Sequence, residues 1–99
     1  MELFETPYQL NEKNKHIQKV AGIGKTNIVN IQLQRGETVP EHDADADVVI
    51  IVRSGKVSFI VEGKTVEATA QNILHMNPLE KHSLEAVEDA DLIVMQIKQ

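Results

Sequence analysis

Cysteine is absent from the 99 residues. Disulfides, zinc–thiolate sites, iron–sulfur clusters and a thiol nucleophile are thereby excluded. Tryptophan is absent too, and the aromatic side chains amount to Phe4, Tyr8 and Phe59. That leaves little for a base- or sugar-stacking platform, and Val, Ile and Leu must build the core. A surplus of positive charge is also missing, for the net charge is −5. A nucleic-acid surface needs a basic patch to displace phosphate counterions, and an anionic bilayer attracts cations in the same way, so neither partner is expected. No apolar run reaches the length of a membrane span, and the opening Met-Glu-Leu-Phe-Glu has neither the basic start nor the apolar stretch of a secretory signal. A cytoplasmic protein is the resulting expectation.

What is present reads as sheet. From Ile17 to Leu33 the chain turns alternating, with Val29, Ile31 and Leu33 on one face and Asn30, Gln32 and Gln34 on the other, the period of a strand with one buried side, and Arg35-Gly36 ends it. Val48-Val49-Ile50-Ile51-Val52 is a short continuous apolar run, which predicts a strand covered on both faces. Ser54-Gly55 marks a turn. Val57, Phe59 and Val61 then alternate with Ser58 and Ile60 up to a tight turn at Glu62-Gly63. Further short strands are predicted over 65–68, 73–76, 84–87 and 92–97, the second of these stopped by Asn77-Pro78. Short strands at regular spacing with turn signals between them predict an all-β sandwich or barrel. No segment has a helical period. The length suits one domain, 1–99, with a polar N-terminal arm over about 1–16 and a barrel over about 17–97.

Three chemical motifs fail on their context. Gly24-Lys25-Thr26 has the ending of a phosphate-binding loop, but Lys19 stands where that loop needs glycine and strand alternation follows where it needs a helix. A hairpin turn is the better reading. Asp43, Asp45 and Asp47 have calcium-loop spacing without the glycine and the terminal Glu that such a loop needs, and read as a solvated outer row. Ser54, Ser58 and Ser83 lack the strand–turn–helix elbow of a nucleophilic serine.

The stretch from Gly36 to Gly55 resembles the first motif of the cupins. In that motif a Gly is followed after five residues by His-x-His, then after three or four residues by Glu, and after six more by Gly. Gly36, Pro40, His42 and Gly55 match, while Ala44 stands for the second His and Val48 for the Glu. The stretch from Ala70 to Ala86 resembles the second motif. Pro78 and His82 of Asn77-Pro78-Leu79-Glu80-Lys81-His82 match, the glycine is lost, and Ala86 stands where Asn is frequent. The resemblance spans about residues 28–97. It implies a double-stranded β-helix, the cupin jelly-roll barrel, with its site inside. It also implies a homodimer, as is common among small single-domain cupins. Metal-loaded members hold iron, manganese, nickel or zinc with three His and one Glu, and catalyse oxygenation, isomerisation or lyase reactions.

Parity supports a pocket independently of the family. In an extended segment His42, Ala44, Ala46 and Val48 share one face, and His82, Leu84 and Ala86 share a face of a later strand. The expected pocket comprises His42, Ala44, Val48, His82 and Ala86. The metal candidates are His42 and His82, holding either no metal or a weakly bound divalent ion, because two imidazoles fall short in ligand number and charge. His75 is expected on the outer face, and His16 in the polar arm has no assigned role. Three functions stay open on these residues. One is a metal-poor cupin binding a small, mainly apolar ligand as a sensor or accessory protein. The second is a metal-dependent oxygenase or isomerase using His42 and His82. The third is an interaction module dimerising through the outward residues of 48–52 with Phe4 and Tyr8.

Overall fold

Side chains two residues apart share a face of a strand, and the apolar alternation of this sequence is realised as nine strands without a helix. The computed structural model describes residues 1–99. The strands are β1 (Lys15–Ile23), β2 (Thr26–Leu33), β3 (Thr38–His42), β4 (Asp47–Ser54), β5 (Lys56–Val61), β6 (Lys64–Thr69), β7 (Ile73–Met76), β8 (His82–Ala86) and β9 (Ala90–Ile97). They form two antiparallel sheets, a five-stranded one in the order β1-β2-β9-β4-β7 and a four-stranded one in the order β3-β8-β5-β6.

Two turns show why their residues are there. Val61 pairs with Lys64 across Glu62 (φ 47°) and Gly63 (φ 80°), the two positive-φ positions of a hairpin turn that follows the strand twist. Gly55 (φ 82°) carries the chain from β4 in one sheet to β5 in the other. A Cβ on it would lie 2.1 Å from the carbonyl oxygen of Asp89, so both the backbone angle and the space demand glycine.

The inner faces of the two sheets meet in one apolar cluster. Leu33, Val52, Val57, Ala86, Ala90 and Leu92 gather where β2, β4 and β8 end and β5 and β9 begin, and pack that end of the barrel shut. Fully burying a side chain the size of Val or Leu contributes about 1.5–3 kcal/mol, so this end holds much of the stability. Side chains do not fill the opposite end.

Beyond the additional strand β3, which no alternation announced, the strand pattern departs from the sequence expectation in three places. β2 is covered on both sides, since Asn30 and Gln32, expected in solvent, are both 0 % exposed. The N-terminal arm lies over them. Gln32 Oε1 accepts from the Gln9 N–H (2.8 Å) and its Nε2 donates to Pro7 O (2.9 Å) and to Asn30 Oδ1 (2.8 Å). Asn30 Nδ2 donates to Asp91 Oδ1 (2.8 Å), Arg53 Nη2 donates to both oxygens of Asp91, and Arg53 Nη1 donates to Thr6 Oγ1 (2.7 Å). The second departure is β4. Val48, Ile50 and Val52 are buried, but Val49 and Ile51 are only partly covered on the outer face. The third is the segment 43–46, which is a loop between β3 and β4 rather than extended strand.

Candidate functional site

The unfilled end of the barrel is a pocket of about 240 Å³. Its walls come from both sheets. Ile17, Val29, Ile31, Val48, Ile50 and Val94 line it from the five-stranded sheet, and Val39, Phe59 and Leu84 from the other, with Ala44 contributed by the loop. Only three lining side chains are polar: His42, His82 and Gln96.

The two histidines are cross-strand partners, His42 closing β3 and His82 opening β8. The register slips between Val39 and His42, where Pro40 has no N–H to give to the ladder. The ring centroids are 4.2 Å apart with the planes at 63°. His42 is exposed at the rim, whereas His82 is 5 % exposed. Each ring is fixed by its own backbone. His42 Nδ1 lies 2.9 Å from Pro40 O, and His82 Nδ1 lies 3.0 Å from Glu80 O. A carbonyl can only accept, so each Nδ1 carries the proton, and in the neutral ring Nε2 keeps its lone pair.

Of the residues expected in the pocket, the structure brings His42, Ala44, Val48 and His82 together. Ala86 is the exception. It shares the inward face of β8, but lies at the packed end of the barrel, fully buried, and does not line the pocket. Parity fixes which face a residue is on and says nothing about its depth along the barrel. Nine further residues line the pocket without having been expected there, Gln96 and Ile17 among them. The inward alternation Leu92, Val94, Gln96 along β9 was the available signal for Gln96.

Ala44 and Val48 present hydrocarbon where the metal-loaded cupins have ligands, and no group of three or more His, Asp or Glu side chains gathers anywhere in the molecule. Two imidazoles supply neither the ligand number nor the charge that a resident divalent ion requires, so the residues present do not fit one.

The remaining candidates lie elsewhere. His75 faces outward, and its Nε2 donates to Asp47 Oδ1 at 2.8 Å. That hydrogen bond holds the Asp47 carboxyl below its ordinary value. Burial opposes the effect, while a hydrogen bond from Gln99 and the charge of His75 add to it. Asp47 is therefore paired rather than simply solvated. Asp43 and Asp45 are exposed in the loop. Ser58 and Ser83 border a shallower hollow of about 170 Å³ on the outer face of the four-stranded sheet, away from both pocket histidines. His16 is bonded only to Gln18 at the surface. Gly24-Lys25 is a hairpin turn between β1 and β2.

Comparison with known structures extends this picture. A cupin with a double-stranded β-helix from Methanocaldococcus jannaschii is 20 % identical with a TM-score of 0.84, over 99 % of this chain and 91 % of that one. An RmlC-like cupin from Desulfovibrio desulfuricans is 19 % identical with a TM-score of 0.84, over 98 % and 96 %. KdgF from a Halomonas species is 18 % identical with a TM-score of 0.82, over 99 % and 95 %. At these identities the likeness establishes the double-stranded β-helix and nothing finer. No functionally curated protein matches the chain. The model of the AraC-like ligand binding domain matches residues 31–98, from the middle of β2 through the end of β9, and takes in every pocket residue named above except Ile17 and Val29. The chain is thus a small cupin and belongs to the AraC-like ligand binding domain family.

Proposed function

We propose that the protein binds a small, mainly apolar ligand in the open end of its barrel, as a sensor or accessory protein rather than a metalloenzyme. The observation that carries this reading is the pocket itself, ten of whose 13 lining residues are hydrophobic. Ligand sites are concave, mostly apolar and provided with a few polar groups that fix orientation, and His42, His82 and Gln96 are those groups. A volume of 240 Å³ is below the usual range for drug-sized ligands and suits a molecule of on the order of ten non-hydrogen atoms. The metal-dependent alternative would have to work with His42 and His82 alone.

The test uses 4-fluorotoluene as a probe, followed by its fluorine resonance and by the protein's amide resonances. Saturable shifts concentrated at Val48, Ile50, Phe59 and Leu84 are expected. Ala44→Leu, which fills the hollow from the loop, should weaken binding at least tenfold with stability within about 1 kcal/mol of wild type. Shifts scattered over the surface, or binding indifferent to Ala44→Leu, would refute the reading. Near-stoichiometric metal by elemental mass spectrometry, lost in a His42→Ala/His82→Ala variant, would favour the enzyme instead.

A second reading concerns assembly. The outer face of the five-stranded sheet carries two apolar rows. Ile28, Met95 and Val49 are in register across β2, β9 and β4, and Ile93, Ile51 and Ile73 across β9, β4 and β7. Strand spacing makes this face on the order of 250 Å², a contiguous apolar area of the size that often serves a function on a protein surface. A second copy is the proposed occupant, because a two-fold stack of identical faces covers both at once.

A further inference from the structure

We infer that the ligand carries an uncharged hydroxyl group, whose single proton is donated to a bare Nε2 of the His42–His82 pair. This rests on the pocket reading above and specifies its chemistry. Both Nδ1 atoms are committed to the backbone carbonyls of Pro40 and Glu80, so neither ring can switch tautomer without leaving a carbonyl unpaired. Neither Nε2 has a hydrogen-bond partner within the chain, and both rings line the cavity with their centroids 4.2 Å apart. The site therefore presents two adjacent acceptors and needs a donor. No Lys or Arg lines the pocket. A carboxylate would thus enter an apolar cavity without a fixed positive charge to meet it, which is costly. A plain hydrocarbon would fill the volume and leave the buried His82 acceptor without a partner. A phenol or a small alcohol brings no charge into the cavity and supplies the one donor that pairs an Nε2, leaving the rim His42 open to water. Its apolar body lies against Ile31, Ile50, Phe59 and Leu84, and its O–H points to the imidazole pair. The Gln96 amide, on the other sheet, is the one further polar group in the pocket available to the hydroxyl oxygen.

The experiment compares three para-substituted toluenes: p-cresol, 4-fluorotoluene and p-toluate. Titrations followed by amide resonances give each affinity. p-Cresol is expected to bind roughly tenfold more tightly than 4-fluorotoluene, the difference made by one paired acceptor, and p-toluate the most weakly. In His42→Leu/His82→Leu the advantage of p-cresol should vanish while 4-fluorotoluene still binds. Because His82 is buried, the tautomers are also read directly in the wild-type protein. Long-range proton–nitrogen spectra should show protonated Nδ1 and bare Nε2 on both rings, with the Nε2 resonances moving on addition of p-cresol. Equal binding of p-cresol and 4-fluorotoluene would overturn the inference and leave the apolar pocket standing. Tightest binding by p-toluate, or protonated Nε2 in the free protein, would also overturn it. Failure of all three probes to bind would remove the pocket reading and the inference together.

Discussion

His42 and His82 are tied by Nδ1 to carbonyls two residues earlier, and His75 is tied by Nε2 to a carboxylate. One residue type thus serves two purposes, and the partner decides which nitrogen is bare. The His75 pair has a consequence for pH. Asp47 has a carboxyl held below its ordinary value of 3.8, first of all by the hydrogen bond from His75. A carboxylate with a depressed folded-state value adds stability above its unfolded value and loses it as pH falls through the folded one, so the effect belongs below about pH 4. Both partners are solvent-accessible, so the contribution to stability is small. A carbon-detected titration of Asp47 should give a midpoint below 3.8 that rises in His75→Ala, and an unchanged midpoint would show that the pair is inert in solution. Legibility was uneven at this scale. His42 and His82 could be found because motif spacing fixes them, and Ala44 and Val48 because they stand at the ligand positions of that motif. Gln96 and Ile17 lie on strands without a motif, and Ala86 was misplaced because alternation carries no information about depth.

The elements were legible wherever one face was apolar and turns punctuated the chain, as at Val57–Phe59–Val61 and Glu62-Gly63. β2 was not fully legible. Its polar alternation is real, but the side chains at Asn30 and Gln32 meet the N-terminal arm instead of water. Nothing local to β2 records which distant segment covers it. The arm is held mainly by Gln32, Gln34 and Arg53, together with Leu10, whose side chain is buried. Gln32→Ala removes three hydrogen bonds at once and should cost about 2–3 kcal/mol. Its signature is local. The Gln9 amide should lose its protection from hydrogen exchange while the amides of β5 and β8 keep theirs. Equal loss throughout would mean that the arm is an integral part of the core rather than a strap across it.

At the scale of the whole molecule the barrel has a packed half and a hollow half, and its outer apolar sheet face stands apart from both. Light scattering coupled to gel filtration should give twice the chain mass of 11.1 kDa. Ile51→Lys, which places a charge in the middle of the outer face without touching the core, should return the protein to the single-chain mass. A wild-type mass of one chain at all accessible concentrations would leave that face without the proposed partner. The arm has one more consequence, which follows from the shortage of aromatic residues. The only tyrosine, Tyr8, sits on the arm at 51 % exposure, and there is no tryptophan. The barrel is therefore optically dark beyond the weak absorption of phenylalanine. Tyrosine emission and its anisotropy then report on the strap alone, with no label attached, and a chromophoric guest in the pocket can be watched against almost no background from the protein.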